Sequence, residues 1–368
     1  MAGGTTLRER KNYLDVAKLL AVLSVVYVHS SINYNPVRRT IACFFMPVFF
    51  VIYGVASSKR TITSFQELKF FLLKRVRSLL VPYVLWTIIY APSVNAHFFK
   101  KVVIGNNYAL GQAGTNSVLW FLPCMFIAVL LFQLYVNIRL KINGRGGRIG
   151  WDLSAMILCG IISLWCNPGS PEGRFFGFDI AFSGCLFMII GGLLRAAGDY
   201  LEKKPFYVKL ILGLILFAAA YVFATWNLPY LEKDECYGVV MALGIYGRYD
   251  LFLCGAVLGS LGLFMIAMLF QEVRLFAYMG RFSLFIMAVH YILFNFVKPL
   301  CNPIQKMRYG AYLFPVTVTL CCFMICIPLC PVIDWAVPEL NGKCGGTKRQ
   351  EPAAIQNAAN KSGDNSLE

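Results

Sequence analysis

Charged residues are scarce in this sequence. Asp, Glu, Lys and Arg together make up 14% of its 368 residues, whereas 58% of the residues are hydrophobic. A soluble domain of this size carries nearer a quarter charged residues, because its surface has to face water. The composition therefore excludes an ordinary soluble globular protein and favours a chain whose surface faces lipid.

Before the last 35 residues, long polar stretches are also missing, since apolar runs long enough to cross a bilayer follow one another along the chain. A membrane-spanning helix needs roughly 20 apolar residues. The runs lack the strict alternation of a transmembrane β-strand, so they predict an all-α, polytopic bundle of about ten spans. The predicted bounds are 13–33, 41–57, 79–97, 117–137, 151–166, 179–194, 207–226, 250–270, 275–299 and 310–333.

Acidic residues are the rarer kind of charge, with 18 Asp and Glu against 34 Lys and Arg. Cytoplasmic loops of membrane proteins are enriched in Lys and Arg. With the N-terminus inside, the inner segments hold 22 of the 34 and the outer loops hold 10. We therefore expect both termini in the cytoplasm, with an N-terminal segment 1–12, a membrane domain 13–333 and a disordered tail 334–368. Nucleic-acid binding is not expected, because no basic soluble domain is left over for it.

Only three histidines are present, and two of them accompany other ionisable residues in predicted spans. The first span carries Asp15, Lys18 and His29, and such groups inside a membrane tend to mark function. Lys18 and His29 are eleven residues apart, or three helical turns, so all three lie on one stripe, with Lys18 roughly 16 Å inward of His29. His290 falls at a similar depth in the ninth span, which suggests one shared site. The alternative is that Lys18 extends to the inner interface and His29 lies among headgroups.

The inner loop before the third predicted span ends in a dense basic cluster. It contains Lys74, Arg75 and Arg77 in the segment LLKRVRSLLVPY. Cations so close to the membrane would suit an anionic ligand such as the diphosphate of CoA. The alternative is a positively charged anchor at the inner face, which many membrane proteins have.

No metal site is predicted. Cys322, Cys326 and Cys330 share one face of the last predicted helix, but no His or carboxylate lies within that span, 310–333. Small, apolar packing residues are therefore the favoured interpretation of these cysteines.

Five short segments of the chain carry a family resemblance. They are KNYLDVAKLLAVLSVVYVHS, FFMPVFFVIYG, KRVRSLLVPYVLW, LWFLPCMF and MGRFSLFIMAVH. In this order and topology they resemble acyltransferase family 3, a group of bacterial integral membrane O-acyltransferases, and in particular the branch similar to fucose 4-O-acetylases. In the first segment Lys18 precedes His29 by eleven residues, as a basic residue precedes a His in the family. One departure is Phe45, which stands where many members of the branch have His.

The resemblance implies an enzyme of the bacterial inner membrane. It would move an acyl group, with acetyl the expected one, from cytoplasmic acyl-CoA to a hydroxyl of a cell-surface or lipid-linked glycan. No permanently bound cofactor is implied, because acyl-CoA is the donor substrate. Homo-oligomerisation is left open.

The resemblance also implies roles for particular residues. His29 would act as general base toward the sugar hydroxyl, with a transient acyl-histidine as the alternative step. The other catalytic residues expected are Lys18 and His290. The donor would be held by Lys74, Arg75, Arg77 and Arg281, and the supporting residues would be Asp15, Trp120 and Ser283.

Two other classes of function remain as alternatives. Buried charges in about ten spans suit a glycan or lipid transporter or flippase equally well. A non-catalytic partner in a polysaccharide-assembly complex is the second, and Phe45 at a usual His position favours it. The paired Lys18 and His29 with the later motifs favour the enzyme, since a generic transporter has no reason to match them.

Overall fold

The computed structural model describes residues 11–31, 35–57, 61–91, 95–166, 175–234 and 236–343. Within these ranges the backbone is helical almost throughout, and β-pairing is limited to an isolated bridge between Val240 and Ile245. The predicted all-α architecture is confirmed.

The described chain forms a series of α-helices joined mostly by short connections. They are α1 (Asn12–Ser30), α2 (Pro36–Phe44), α3 (Pro47–Ala56), α4 (Phe65–Arg75), α5 (Val81–Tyr90), α6 (Ala96–Ile104), α7 (Asn107–Gln112), α8 (Phe121–Lys141), α9 (Arg145–Trp165), α10 (Phe178–Glu202), α11 (Phe206–Trp226), α12 (Leu228–Leu231), α13 (Tyr249–Leu269), α14 (Arg274–Gly280), α15 (Ser283–Gln305) and α16 (Gly310–Ala336). A π-helical turn, Val76–Leu80, joins α4 to α5. Two 3-10 turns, Ser117–Trp120 and Pro338–Asn341, precede α8 and follow α16.

Local sequence signals explain where several of these helices begin. Asn35 caps α2 through a bond from the Arg38 amide to its side chain, and Pro36 fills the first helical position, where no amide hydrogen is needed. A capping box between Ser64 and Glu67 starts α4. These caps fix where α2, which carries Arg38, and α4, which leads into the basic cluster, begin.

Nine helical stretches in the described part of the chain are long and apolar enough to cross a membrane. They make the chain a multi-pass membrane protein, and each overlaps a predicted span. The third predicted span, 79–97, instead covers part of the π turn, all of α5 and the start of α6. Its helix is continuous from Phe65 to Tyr90, but the first half is too rich in charge to count as apolar. The total of ten spans and the orientation of the termini stay predictions.

The first helix lies at the centre of the bundle. It packs against α2, α3 and α13 to α16, and most of its residues are buried. By contrast, α9, α11 and α16 bury only a minor share of their residues and form the apolar periphery. Below, the inner end is the end of the bundle that holds Asn12, and the outer end is the one that holds Ser30, following the predicted orientation.

The crossing of α3 and α10 depends on small residues. A Cβ on Gly54 would overlap the backbone carbonyl of Met188, and a Cβ on Gly191 would overlap that of Val51. Backbones that approach this closely are typical of helix pairs in membranes, where packing rather than the hydrophobic effect drives association.

The predicted tail, 334–368, is described only as far as residue 343. In that part α16 continues to Ala336, and the turn Pro338–Asn341 packs back into the bundle, with Leu340 and Asn341 buried. The rest of the predicted tail, and residues 1–10 of the predicted N-terminal segment, lie outside the described residues.

Candidate functional site

At the outer end, the structure brings the two histidines into contact. Nδ1 of His29 on α1 lies 3.2 Å from Nε2 of His290 on α15. His290 has no exposed surface, whereas His29 is partly accessible. The two helices run in the same direction from the inner end, which places residues of similar depth side by side.

The hydrogen bonds around this pair indicate which ring nitrogens carry protons. Nδ1 of His290 lies 2.6 Å from the Met287 carbonyl oxygen, and a carbonyl only accepts, so Nδ1 is the protonated nitrogen. In a neutral imidazole the other nitrogen, Nε2, is then an acceptor and receives the Nδ1 hydrogen of His29. His29 is left with an unprotonated Nε2, which is free to take a proton.

Aromatic rings enclose the pair. The ring of Phe45 meets that of His29 edge-on at 6.3 Å, and Tyr291 lies 5.6 Å from His29 and 4.7 Å from His290. Phe294 closes the remaining side of His290 at 5.2 Å. Phe45 therefore contributes an apolar wall at the position where the family resemblance implies a His.

Two residues that the sequence analysis missed hold the turn of α15 just before His290. The Tyr90 hydroxyl donates to the Ala288 carbonyl at 2.7 Å, and the Asn116 amide donates to the same oxygen at 3.3 Å. Asn116 also caps the 3-10 turn that contains the buried Trp120. Trp120 thus belongs to the turn that supports α15, while Ser283 lies at the first residue of α15, roughly 10 Å from His290 along the axis.

At the inner end, Asp15 interacts with two cations. Lys18 Nζ lies 3.0 Å from one carboxylate oxygen, and Arg281 Nε lies 3.7 Å from the other. Asp15 is buried, but the side chains of Lys18 and Arg281 are 34% and 41% exposed. A charge buried with a partner costs far less than an isolated one, so this cluster can persist within the bundle.

A close backbone approach makes the Arg281 contact available. A Cβ on Gly280 would overlap the carbonyl of Asp15, so only glycine lets the end of α14 lie against the start of α1. Lys18 and Arg281 are thereby brought together at the inner end. Neither touches the histidine pair, because Lys18 and His29 are separated by roughly 16 Å along α1.

The basic cluster occupies the junction of α4 and the π turn. Lys74 and Arg77 are exposed, whereas Arg75 is partly buried. The Arg75 guanidinium lies over the rings of Tyr53 and Phe71 at 5.3 and 5.2 Å, and no hydrogen-bond partner for its buried Nε is found among the described residues. Single π-helical turns of this kind occur frequently at functional sites.

The turn Pro338–Asn341 links this region to Arg281. The Trp86 indole on α5 donates to the Leu340 carbonyl at 2.9 Å, and the Asn341 amide donates to the Arg281 carbonyl at 3.1 Å. Gly342, at φ +71°, lies so close to the Ser78 carbonyl that a Cβ would come within 2.6 Å of it. This segment therefore connects the region of the basic cluster with Arg281, which the sequence analysis grouped together as donor-binding residues.

No cluster of three or more potential metal-ligating side chains occurs within the part of the chain described. Cys322, Cys326 and Cys330 are buried free thiols in α16.

Comparison with known proteins gives one match. A family model described as an acyltransferase domain, that of acyltransferase family 3, matches residues 11–335. The match includes the histidine pair, the Asp15 cluster and the basic cluster. No curated protein and no solved structure matches the chain significantly.

Proposed function

Since the chain belongs to acyltransferase family 3, we propose that it transfers an acetyl group from cytoplasmic acetyl-CoA to a hydroxyl of a cell-surface or lipid-linked glycan. We propose further that it works in a bacterial inner membrane and belongs to the branch similar to fucose 4-O-acetylases. The observation that carries the proposal is the His29–His290 pair, with an unprotonated nitrogen on a partly accessible ring.

In the proposed reaction, Nε2 of His29 takes the proton of the acceptor hydroxyl. The hydroxyl oxygen attacks the thioester carbonyl carbon, a new C–O ester bond forms, and the C–S bond breaks. The leaving thiolate of CoA receives the proton that His29 took. General-base help of this kind contributes a factor of about 10²–10⁴ in rate.

His290 acts in this proposal by positioning His29. Its bond to the Met287 carbonyl holds its own Nε2 as an acceptor, and that acceptor holds the Nδ1 hydrogen of His29 in place. The base nitrogen therefore points away from His290. Tyr90 and Asn116 support the arrangement from behind, through the Ala288 carbonyl.

The donor would bind at the inner end. Arg75, whose Nε has no hydrogen-bond partner among the described residues, is the strongest candidate for a phosphate contact, and Lys74 and Arg77 add exposed positive charge beside it. A second group of cations consists of Lys18, which lies on α1 as His29 does, and Arg281, which lies next to the start of α1. The flexible pantetheine arm of CoA would have to span roughly 16 Å from this end to His29.

The test is direct transfer by the purified full-length protein in lipid nanodiscs. The protein is incubated with acetyl-CoA radiolabelled on the acetyl group and with candidate glycans. We expect label in a glycan, released by mild alkali as an O-acetyl ester is. If acetyl-CoA is not consumed while the glycan crosses the membrane of reconstituted liposomes without it, the chain is a transporter and the proposal is wrong.

A further inference from the structure

Two cations contact the last turn of α1, immediately beside His29. Arg38 on α2 donates through Nε to the Val28 carbonyl at 3.3 Å, and Lys298 on α15 donates through Nζ to the His29 carbonyl at 3.3 Å. Carbonyls at the end of a helix have no partner within it and carry partial negative charge. The two contacts place both positive charges next to the proposed base.

The contact with the end of α1 uses only part of the hydrogen-bonding capacity of Lys298. Its ammonium has three donors, of which the His29 carbonyl uses one, and it also lies 4.2 Å over the ring of Phe294. No carboxylate forms an ion pair with Lys298 within the ranges that the structure describes. A charged side chain in a membrane helix is costly and tends to serve a function, so the remaining donors of Lys298 need an explanation.

The inner end of the same helix shows a different arrangement, in which the cations contact a carboxylate of the chain. There, Lys18 and Arg281 share the carboxylate of Asp15. At the outer end, the contacts of Lys298 among the described residues are a carbonyl and a ring. Lys298 is therefore better suited to receive a negative group from outside the chain, and Arg38 adds positive charge beside it.

Electrostatics connects that negative group to the reaction. When His29 takes a proton it becomes positive, and Arg38 and Lys298 repel that new charge at short range. A neutral acceptor leaves the repulsion in place, whereas a negative group bound between the two cations would offset it. The two cations assist the proposed base only when the acceptor brings a negative charge with it.

We infer that the acceptor is anionic, and that Arg38 and Lys298 bind its negative group while His29 faces the hydroxyl to be acylated. The inference rests on the proposed function, because it assigns the acceptor of that same reaction. Two sources supply the required chemistry: the carboxylate of an acidic sugar, and the phosphate of a lipid carrier. Both present oxygens to charged donors in the same way.

The experiment measures equilibrium binding to the full-length protein in nanodiscs, independently of catalysis. One pair of probes is a galacturonic acid trisaccharide and its carboxyl-reduced counterpart. The second pair is a sugar on a short isoprenyl diphosphate and the same sugar on the isoprenyl alcohol. A charge-assisted contact is expected to make the anionic member of at least one pair bind about tenfold more tightly or better.

Matched variants assign the preference to these side chains. Lys298→Met and Arg38→Gln should each reduce the ratio of the two affinities, whereas Lys298→Arg should keep most of it. Lys306→Met, at an exposed outer position next to the end of α15, should leave the ratio unchanged. Using two independent variants guards against one that does not fold, which size-exclusion chromatography would reveal.

Each outcome decides the question. A preference in the carboxylate pair alone assigns an acidic sugar, and a preference in the diphosphate pair alone assigns the lipid carrier. If neither anionic probe binds better than its neutral counterpart, or if Lys306→Met lowers the ratio as much as Lys298→Met does, the inference is wrong. Acetyl transfer that depends on His29 but ignores acceptor charge would overturn this inference while leaving the proposed function standing.

Discussion

The two ends of α1 use charge in opposite ways. At the inner end, the Asp15 carboxylate lies between Lys18 and Arg281 and offsets one of their two positive charges. At the outer end, two neutral imidazoles bond to each other, and Lys298 binds a carbonyl of the helix itself. The inner cations therefore share a carboxylate of the chain itself, whereas Lys298 contacts no carboxylate among the described residues.

The largest expected effect comes from the outer end. His29→Ala removes the only nitrogen of the pair that is left unprotonated and accessible. Acetyl transfer should fall by about 10²–10⁴, the usual contribution of a general base, with the donor KM unchanged because the inner cations are intact. Steady-state kinetics with acetyl-CoA measures both parameters.

His97→Ala is the matched control for that variant. His97 lies exposed on α6 and should tolerate the change with normal activity. Near-normal transfer by His29→Ala would mean that the base is elsewhere, and His290 would be the first candidate to examine.

The next largest effect is expected from a substitution that disrupts the packing at the inner end. Gly280→Ala introduces a Cβ that overlaps the Asp15 carbonyl, and backbone cannot move aside as a side chain can. We expect α14 to shift away from α1, with a loss of about 1–3 kcal/mol in stability, typical of overpacking. Arg281 should separate from Asp15, so the donor KM should rise while the acceptor KM changes little.

Thermal unfolding monitored by fluorescence, together with donor kinetics, tests the Gly280 prediction. Gly150→Ala is the control, since Gly150 lies within α9 and a Cβ there meets nothing within 4 Å. An unchanged Tm and donor KM for Gly280→Ala would show that the close approach is dispensable.

Helical periodicity explains why much of α1 could be predicted from the sequence. Positions three and eleven residues apart share a face of a helix, so Asp15, Lys18 and His29 were expected on one stripe, and Lys18 does contact Asp15. The depth of His290 followed from its place in its own span. Both predictions needed only the positions of residues along a single helix.

Contacts between distant segments could not be predicted in the same way. The Gly280 overlap, the carbonyl bonds of Tyr90 and Asn116, and the packing of Leu340 depend on how separate helices cross. No residue pattern along the chain encodes a bond to a backbone carbonyl. The third predicted span, 79–97, also extends past the end of its helix, because α5 ends at Tyr90.

A third prediction sharpens the assignment of the inner end to the donor. Arg75→Ala removes the guanidinium that is stacked on Tyr53. The donor KM should rise about tenfold, since a charged hydrogen bond contributes about 1.5–3 kcal/mol. The donor KM of Arg75→Lys should lie between that of the unmodified protein and that of Arg75→Ala, because Lys keeps the charge but loses the planar stack.

The control for Arg75 is Lys69→Ala, which removes an exposed cation from the same helix. Its donor KM should stay near that of the unmodified protein. Equal effects of the two alanine variants would mean that the inner charge acts only as a general anchor, as the alternative interpretation of the basic cluster holds.

The smallest effects are expected from substitutions in α5. Two of its side chains, Trp86 and Tyr90, lie four residues apart and support the inner and the outer site respectively. The Trp86 indole holds the Leu340 carbonyl near the inner cations, and the Tyr90 hydroxyl holds the Ala288 carbonyl two residues before His290. Each bond contributes about 1 kcal/mol, or roughly a fivefold change in an equilibrium. The Tyr90 effect should be the weaker, because Asn116 still binds the same oxygen.

Conservative variants at these two positions should therefore change different kinetic parameters. Trp86→Phe loosens the turn that binds Arg281 through Asn341, so it should raise the donor KM about fivefold with little change in kcat. Tyr90→Phe relaxes the turn of α15 that orients His290, and through it the base nitrogen of His29, so it should lower kcat a few-fold with an unchanged donor KM. Because both residues lie on one helix, a general loss of stability would change both parameters in both variants. That result, checked against the Tm of each variant, would remove the functional distinction between the two ends of α1.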